Sequence, residues 1–356
     1  MLETYVIYNF ILFSSIILSI LYKIINSKII NSILLILLFL ILWVPASIRY
    51  GIGTDYFSYL GIFENAKTGY INTEIGYYFI NLIVSSLGLD PQFIFVISSF
   101  IIYFNLIASL NKKFLLATTF IAICTFYLPS YSLVRQAIAI SFAGLATAQI
   151  IKGNNFKFII SIIIGALFHT SILILIPFYI LRKINAPRYL LIIITISASM
   201  IIYESEVLID ILNNSFLAST KYGYYAESKF NTSAEIGSGL GVAIKILIPV
   251  LTIIFVKNNK EKNVNIVLFF CVGSIIANVA STKIYIFNRV ADTFMFLPYI
   301  ALPILLESFK LKTNRIIIVI GLLLSFCIYF ERTIFTNLSI NNSGLGINPY
   351  ASVFER

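Results

Sequence analysis

Charged side chains are scarce in this sequence: Asp, Glu, Lys and Arg make up 11% of its 356 residues, while 59% are hydrophobic. That shortage leaves no visible soluble domain of ordinary size, so fold and function must share one membrane body. The three cysteines, Cys124, Cys271 and Cys327, all lie in apolar runs and form neither a disulfide framework nor a metal motif. There is one histidine, His169, and no Cys, His or carboxylate group stands at ligand spacing, so no metal is expected. No Gly-rich phosphate loop occurs, and no cofactor is expected. Internal repeats and low-complexity segments are absent as well. Met1-Leu-Glu lacks the basic n-region of a secretory signal and no small-residue cleavage site follows, so residues 4–22 are expected to stay as a membrane span.

What the chain does have is a series of apolar runs of about twenty residues, the length needed to cross a bilayer core. Its net charge of +10 gives no reason to expect nucleic acid as a partner, because most of the basic residues fall in short loops between those runs. Six such clusters, around Lys23/Lys28, Lys112/Lys113, Lys152/Lys157, Arg182/Lys183/Arg188, Lys257/Lys260/Lys262 and Lys310/Lys312/Arg315, hold fifteen of the twenty-five Lys and Arg. Placing them on the cytoplasmic side sets the direction of every other segment. Residues 4–22 run inward and 29–48 outward, so the loop 49–74 is external. Residues 75–87 form a partial or interfacial helix ending at Gly88-Leu-Asp-Pro91. Residues 92–110, 114–128 and 133–151 then cross in turn, and Gly144, Ala146 and Ala148 offer close packing.

Residues 156–181 begin and end at basic loops. Two half-helices with a turn near His169-Thr-Ser171 keep the sides consistent, although one tilted helix of that length also crosses. Crossings at 189–203, 239–256, 264–281, 289–306 and 315–330 complete the chain, with a long external loop at 204–238 and an external tail at 331–356. The expected fold is an all-α polytopic integral membrane protein, one transmembrane domain over residues 1–356. It has about ten full crossings plus re-entrant or broken helices, 11 to 13 helical segments in all.

Parity sets Arg49, Asp55, Arg135, His169, Arg289 and Asp292 at the outer ends of helices, which points to a common site. Ionisable groups near membrane depth are costly, about 2.5 to 3.5 kcal/mol at a helix centre. Arginine suits a phosphate-bearing ligand, because its guanidinium binds phosphate oxygens bidentately and keeps its proton. Arg135 stands in the first turn of its helix, where free N–H groups and the positive dipole end also attract anions. The plainer alternative for Arg135 and Arg289 is snorkelling to headgroups, and for Arg289 with Asp292 an intrahelical pair. His169 is a candidate general base, or else a hydrogen-bonded structural residue. Asp55 competes for the same role. In the 49–59 stretch, Gly51 and Gly53 allow a tight turn, while Tyr50, Tyr56 and Tyr59 add rings that either flank sugars or anchor the interface.

These residues fall into an ordered set: Arg49-x-x-x-Gly53-Thr-Asp55-Tyr56-x-x-Tyr59, Glu74-x-Gly-Tyr77, Val134-Arg135-Gln136, Phe168-His169-Thr170 followed by Pro177, Asn288-Arg289-Val-Ala-Asp292, and Pro349-Tyr350. Each motif is weak alone. Taken in order over nearly the whole chain, the set resembles the EpsG family of Wzy-type polysaccharide polymerases. The resemblance implies a membrane glycosyltransferase of GT-C-like architecture that joins undecaprenyl-diphosphate-linked repeat units on the outer face of the bacterial cytoplasmic membrane. The implied partners are the lipid-linked glycan donor and acceptor and the bilayer, with a chain-length regulator or flippase as a protein partner. By matching positions, Arg135, Arg289 and Arg49 would serve the donor diphosphate and His169 and Asp55 the chemistry. Gly53, Tyr56, Tyr59, Gln136 and Asp292 would support them. A lipid-linked oligosaccharide flippase and an O-antigen ligase are the competing readings.

Overall fold

The computed structural model describes residues 2–204, 239–256, 262–283, 287–337 and 344–355. The expected external loop 204–238 therefore lies outside the described residues beyond its first position, as do Lys257 and Lys260. In chain order the helices are α1 (Leu2–Ile24), α2 (Lys28–Ile48), α3 (Tyr56–Lys67), α4 (Ile75–Ser86), α5 (Phe93–Ser109), α6 (Leu115–Ala122), α7 (Val134–Ile151) and α8 (Asn155–Ala166). They continue with α9 (Leu175–Leu181), α10 (Arg188–Glu204), α11 (Leu240–Phe255), α12 (Lys262–Lys283), α13 (Asn288–Asp292), α14 (Leu297–Ser308) and α15 (Lys312–Thr336). Among the described residues the extended pairing is limited to one isolated bridge, Arg49 with Ser352.

The helix faces carry the polarity of a membrane protein. On α1 the buried side includes Thr4, Tyr8, Ser15 and Ser19, whereas Val6, Phe10, Phe13, Ile17, Ile20 and Ile24 form an exposed apolar stripe at helical spacing. In water that stripe would be a liability, and in lipid it is the stable arrangement. Buried hydroxyls return to their own helix: Ser19, Thr125, Thr147 and Thr252 each donate to the carbonyl four residues back.

Five described helices, α1, α2, α7, α12 and α15, are long and apolar enough to cross a membrane, and a sixth span is counted if the bent pair at 93–127 is taken as one. About ten crossings were expected, and the difference lies partly in where apolar runs break and partly in length, since α10 and α11 are single helices of 17 and 16 residues. The two pieces expected to cross at 92–110 and 114–128 meet at 91° and the second ends in a five-residue π turn, Ile123–Tyr127. The run 289–306 is split into α13 and the 12-residue α14, whose start holds a proline. Twelve residues rise about 18 Å, a little over half of a bilayer core. The run 156–181 is likewise broken after Ala166, with a 3-10 turn at Thr170–Ile174 beyond the histidine.

The chain divides into two compact units, Met1–Leu173 with Thr313–Arg356, and Ile174–Lys312. In the first, α7 is the interior helix: 72% of its apolar window is buried, against 17% for α15. Its buried face, including Ala139, Ala143, Gly144 and Ala146, is made of small residues that let α5 and α8 approach closely. Asn105 of α5 donates to the Ser141 hydroxyl of α7 at 3.2 Å. In the second unit α12 packs against α9, α10, α11 and α14. Phe178 reaches into the space that a Cβ at Gly273 would fill, with its Cζ 2.6 Å from that position.

Candidate functional site

The 49–55 loop begins where α2, which carries Pro45 in its last turn, gives way at Arg49 to extended backbone. Gly53 makes the turn with φ +100, and a Cβ there would sit 2.4 Å from the carbonyl oxygen of Tyr131. Only glycine fits both demands. Its N–H donates to the Gly346 carbonyl at 2.8 Å, and the Tyr50 N–H donates to the Ala351 carbonyl at 2.9 Å. The tail thus folds back over the loop. Tyr350 strengthens the join by donating its hydroxyl to the Pro45 carbonyl at 2.9 Å, and the Ser132 hydroxyl donates to the Leu345 carbonyl at 2.5 Å.

Arg49 lies at the centre of this knot and is 2% exposed. Its guanidinium lies between the rings of Phe95 and Tyr131, 4.8 and 4.7 Å from their centroids. It donates to the Ala46 carbonyl and, at 3.4 Å, to the Tyr131 carbonyl. Gln92 completes the enclosure: its amide donates to the carbonyls of Ser47 at 2.7 Å and Arg49 at 2.9 Å, while its own oxygen accepts from the Tyr56 hydroxyl at 2.9 Å. Tyr56 is fully buried and stacks on Phe95 at 4.5 Å. Arg49, Gly53 and Tyr56 are therefore parts of one packed support. Asp55 is half-buried immediately before α3, where its carbonyl accepts from the Tyr59 N–H at 3.0 Å.

Arg135 is placed differently. It stands in the first turn of α7, and its side chain keeps 30% exposure. One terminal nitrogen, Nη1, donates to Glu74 Oε2 at 2.5 Å and to the Thr73 hydroxyl at 2.9 Å. Its Nε is buried without a hydrogen-bond partner, and the Tyr59 phenol also interacts with the guanidinium. Glu74 immediately precedes α4, and its side chain makes no capping bond there. The start of α4 is pinned to the turn after α8: the Gly76 N–H donates to the Leu167 carbonyl at 2.8 Å, and a Cβ at Gly76 would lie 2.8 Å from that oxygen. That contact brings Glu74 beside His169. Burial alone would push the Glu74 carboxyl up, but the Arg135 guanidinium, its own backbone N–H and the His169 imidazole together hold it below the ordinary carboxylate range. His169 Nδ1 is 2.8 Å from the Ser171 hydroxyl and 3.3 Å from the Ser171 backbone nitrogen.

Two clusters thus adjoin across the 131–135 turn. Tyr59 bridges them, donating its hydroxyl to the Ser132 carbonyl at 3.3 Å while touching Arg135. Gln136, next to Arg135, is buried. Arg289 and Asp292 belong to the second unit. Arg289 is exposed on the short α13, and Asp292, 8% exposed, pairs at 3.2 Å with Lys245 of α11. Glu74, Ser171 and Lys245 were not among the expected site residues. A lone lysine inside the apolar run 239–256 was the available signal for Lys245. Among the described residues no group of three or more His, Cys, Asp or Glu is placed to hold a metal ion.

Several long apolar helices define a multi-pass membrane protein, and its first unit holds a half-enclosed cluster of guanidinium, carboxylate and imidazole. The chain belongs to the EpsG family, whose model matches residues 32–352, from α2 through the docked tail. Membership supports an exopolysaccharide or Wzy-like polymerase activity in general terms, of a glycosyltransferase-like kind. No curated protein and no solved structure matches the chain.

Proposed function

We propose that this protein polymerises lipid-diphosphate-linked oligosaccharide repeat units, with undecaprenyl diphosphate as the carrier. The active site would face the exterior of the cytoplasmic membrane, on a GT-C-like scaffold. The observation that carries this reading is the Arg135–Glu74–His169 cluster at the start of α7, in a chain of the EpsG family. Polymerisation breaks the bond between the donor sugar's C1 and a diphosphate oxygen, and the electron pair leaves on that oxygen. Arg135 supplies fixed positive charge where this negative charge develops, reinforced by the N-terminal N–H groups of α7. Because the diphosphate is already a good leaving group, the chemistry asks for no metal. The acceptor hydroxyl attacks C1 and its proton passes to His169. In the neutral imidazole one ring nitrogen carries the lone pair that this step requires. Asp55 is the second candidate proton acceptor. Arg49 shapes the pocket from within the protein.

The test is surface glycan chain length in cells carrying Arg135→Ala or His169→Gln. A polymerase predicts that single repeat units still reach the outside and long chains vanish. Loss of every external repeat would instead identify a flippase, and long chains stranded on the lipid carrier a ligase; either result rejects the proposal.

A further inference from the structure

The proposed role of Arg135 meets an obstacle in the structure, because a carboxylate already occupies the guanidinium. Glu74 Oε2 lies 2.5 Å from Nη1, with the Thr73 hydroxyl on the same nitrogen at 2.9 Å. Yet the cation is only partly satisfied, since Nε is buried and has no hydrogen-bond partner. An unpaired buried N–H bears a desolvation cost that a ligand with more acceptor oxygens would relieve. A carboxylate with one oxygen engaged is a poor match for a guanidinium fork. A diphosphate, with several charged oxygens, can fill two of its positions at once.

The same carboxylate has somewhere else to go. Glu74 stands at the N-cap position of α4, where its side chain makes no capping bond. A carboxylate swung to that helix start would meet first-turn N–H groups and the positive end of the helix dipole. The groups facing Glu74 are Arg135 from α7, His169 from the turn after α8, and Thr73 beside it. The Glu74 side chain keeps 13% exposure and the Arg135 side chain 30%, so the pair reaches the surface.

We propose that Glu74 is a built-in placeholder, holding in the free protein the seat on Arg135 that the donor diphosphate takes, and turning to cap α4 when that ligand arrives. The inference rests on the diphosphate reading of Arg135 given above. Glu74 is in this sense a positioning residue: it keeps the guanidinium aimed between turnovers, and it excludes weakly bound single anions. Removing its charge should therefore tighten diphosphate binding, whereas a purely structural partner would weaken binding when lost.

The test measures binding of farnesyl diphosphate and inorganic pyrophosphate to the purified full-length protein by calorimetry. The variants are Glu74→Gln, Glu74→Asp, Arg135→Gln and the double variant Glu74→Gln/Arg135→Gln. Glu74→Gln should bind farnesyl diphosphate about ten-fold more tightly than wild type, the factor that corresponds to about 1.4 kcal/mol. Glu74→Asp, one methylene too short for its present contact, should shift affinity in the same direction by a smaller factor. The Glu74→Gln gain should vanish when Arg135 is also replaced. If Arg135→Gln loses binding but neither Glu74 variant gains it, the placeholder is refuted while the diphosphate role of Arg135 stands. If Arg135→Gln binds both probes as wild type does, the diphosphate role itself falls, and the placeholder with it.

Discussion

Replacing Gly53 by alanine tests whether the 49–55 loop is the rigid support that the site stands on. Two costs can be worked from the geometry. The native φ of +100 is one that an L side chain rarely adopts, which costs on the order of 1 to 3 kcal/mol. The new Cβ would also lie 2.4 Å from the Tyr131 carbonyl oxygen and 2.9 Å from its carbon, so backbone must move, at a cost of about 1 to 3 kcal/mol more. The alanine gains back about 0.4 to 1 kcal/mol by restricting the unfolded chain. The net expectation is a loss of about 3 kcal/mol. It should appear first as release of the tail, because the Gly53 N–H carries the bond to Gly346. Thermal unfolding in detergent and limited proteolysis near the C-terminus report the two effects. Gly61→Ala is the control: it sits in α3 with nothing within 4 Å of its added Cβ, and should be neutral or stabilising by about 0.5 to 1 kcal/mol. Equal behaviour of the two variants would refute the account of the loop.

Four further outcomes follow from the same contacts. Arg49→Lys keeps the charge but loses the planar fork between Phe95 and Tyr131, and thermal unfolding should show a loss of about 2 kcal/mol. Gly76→Ala should cost activity more than stability, since its Cβ at 2.8 Å from the Leu167 oxygen forces the start of α4 away from His169; polymer length against melting temperature separates the two. Tyr350→Phe deletes one bond from the tail to the Pro45 carbonyl and should cost about 1 kcal/mol on thermal unfolding. The Glu74 carboxyl is held below its ordinary value, so the stability it contributes is present above the unfolded-state pKa of about 4.3 and is lost as pH falls through the lower folded value. Wild type should therefore lose more stability than Glu74→Gln on acidification from about pH 6 to pH 3, as read by melting at each pH.

The long apolar runs were legible because lipid imposes length and composition together: α1 and α2 lie close to their expected bounds, while α15 runs six residues past its expected end into the tail. The break beside His169 was legible too, as the one of two arrangements that kept the basic loops on one side. What stayed hidden were features set by partners far along the chain. Nothing local to Pro349-Tyr350 says that it closes over a loop some three hundred residues earlier, or that Lys245 answers Asp292. The break after α5 was legible from the Lys112/Lys113 cluster, but not its 91° angle or the π turn at Ile123–Tyr127, neither of which is marked by a proline.

The two arginines of the first unit show why residue type and helix position could not by themselves divide support from site. Both follow or open a helix, and both are bordered by tyrosines. Arg49 is enclosed by two rings and answered by backbone carbonyls, which cannot leave; substitution there should register in stability. Arg135 is answered by the side chains of a carboxylate and a threonine, both of which can rotate away, and it keeps solvent access. A cation whose counter-charge is mobile can exchange it for a ligand, and a cation held by fixed dipoles cannot. On that difference Arg135 carries the proposed chemistry, and Arg49 holds the wall against which it works.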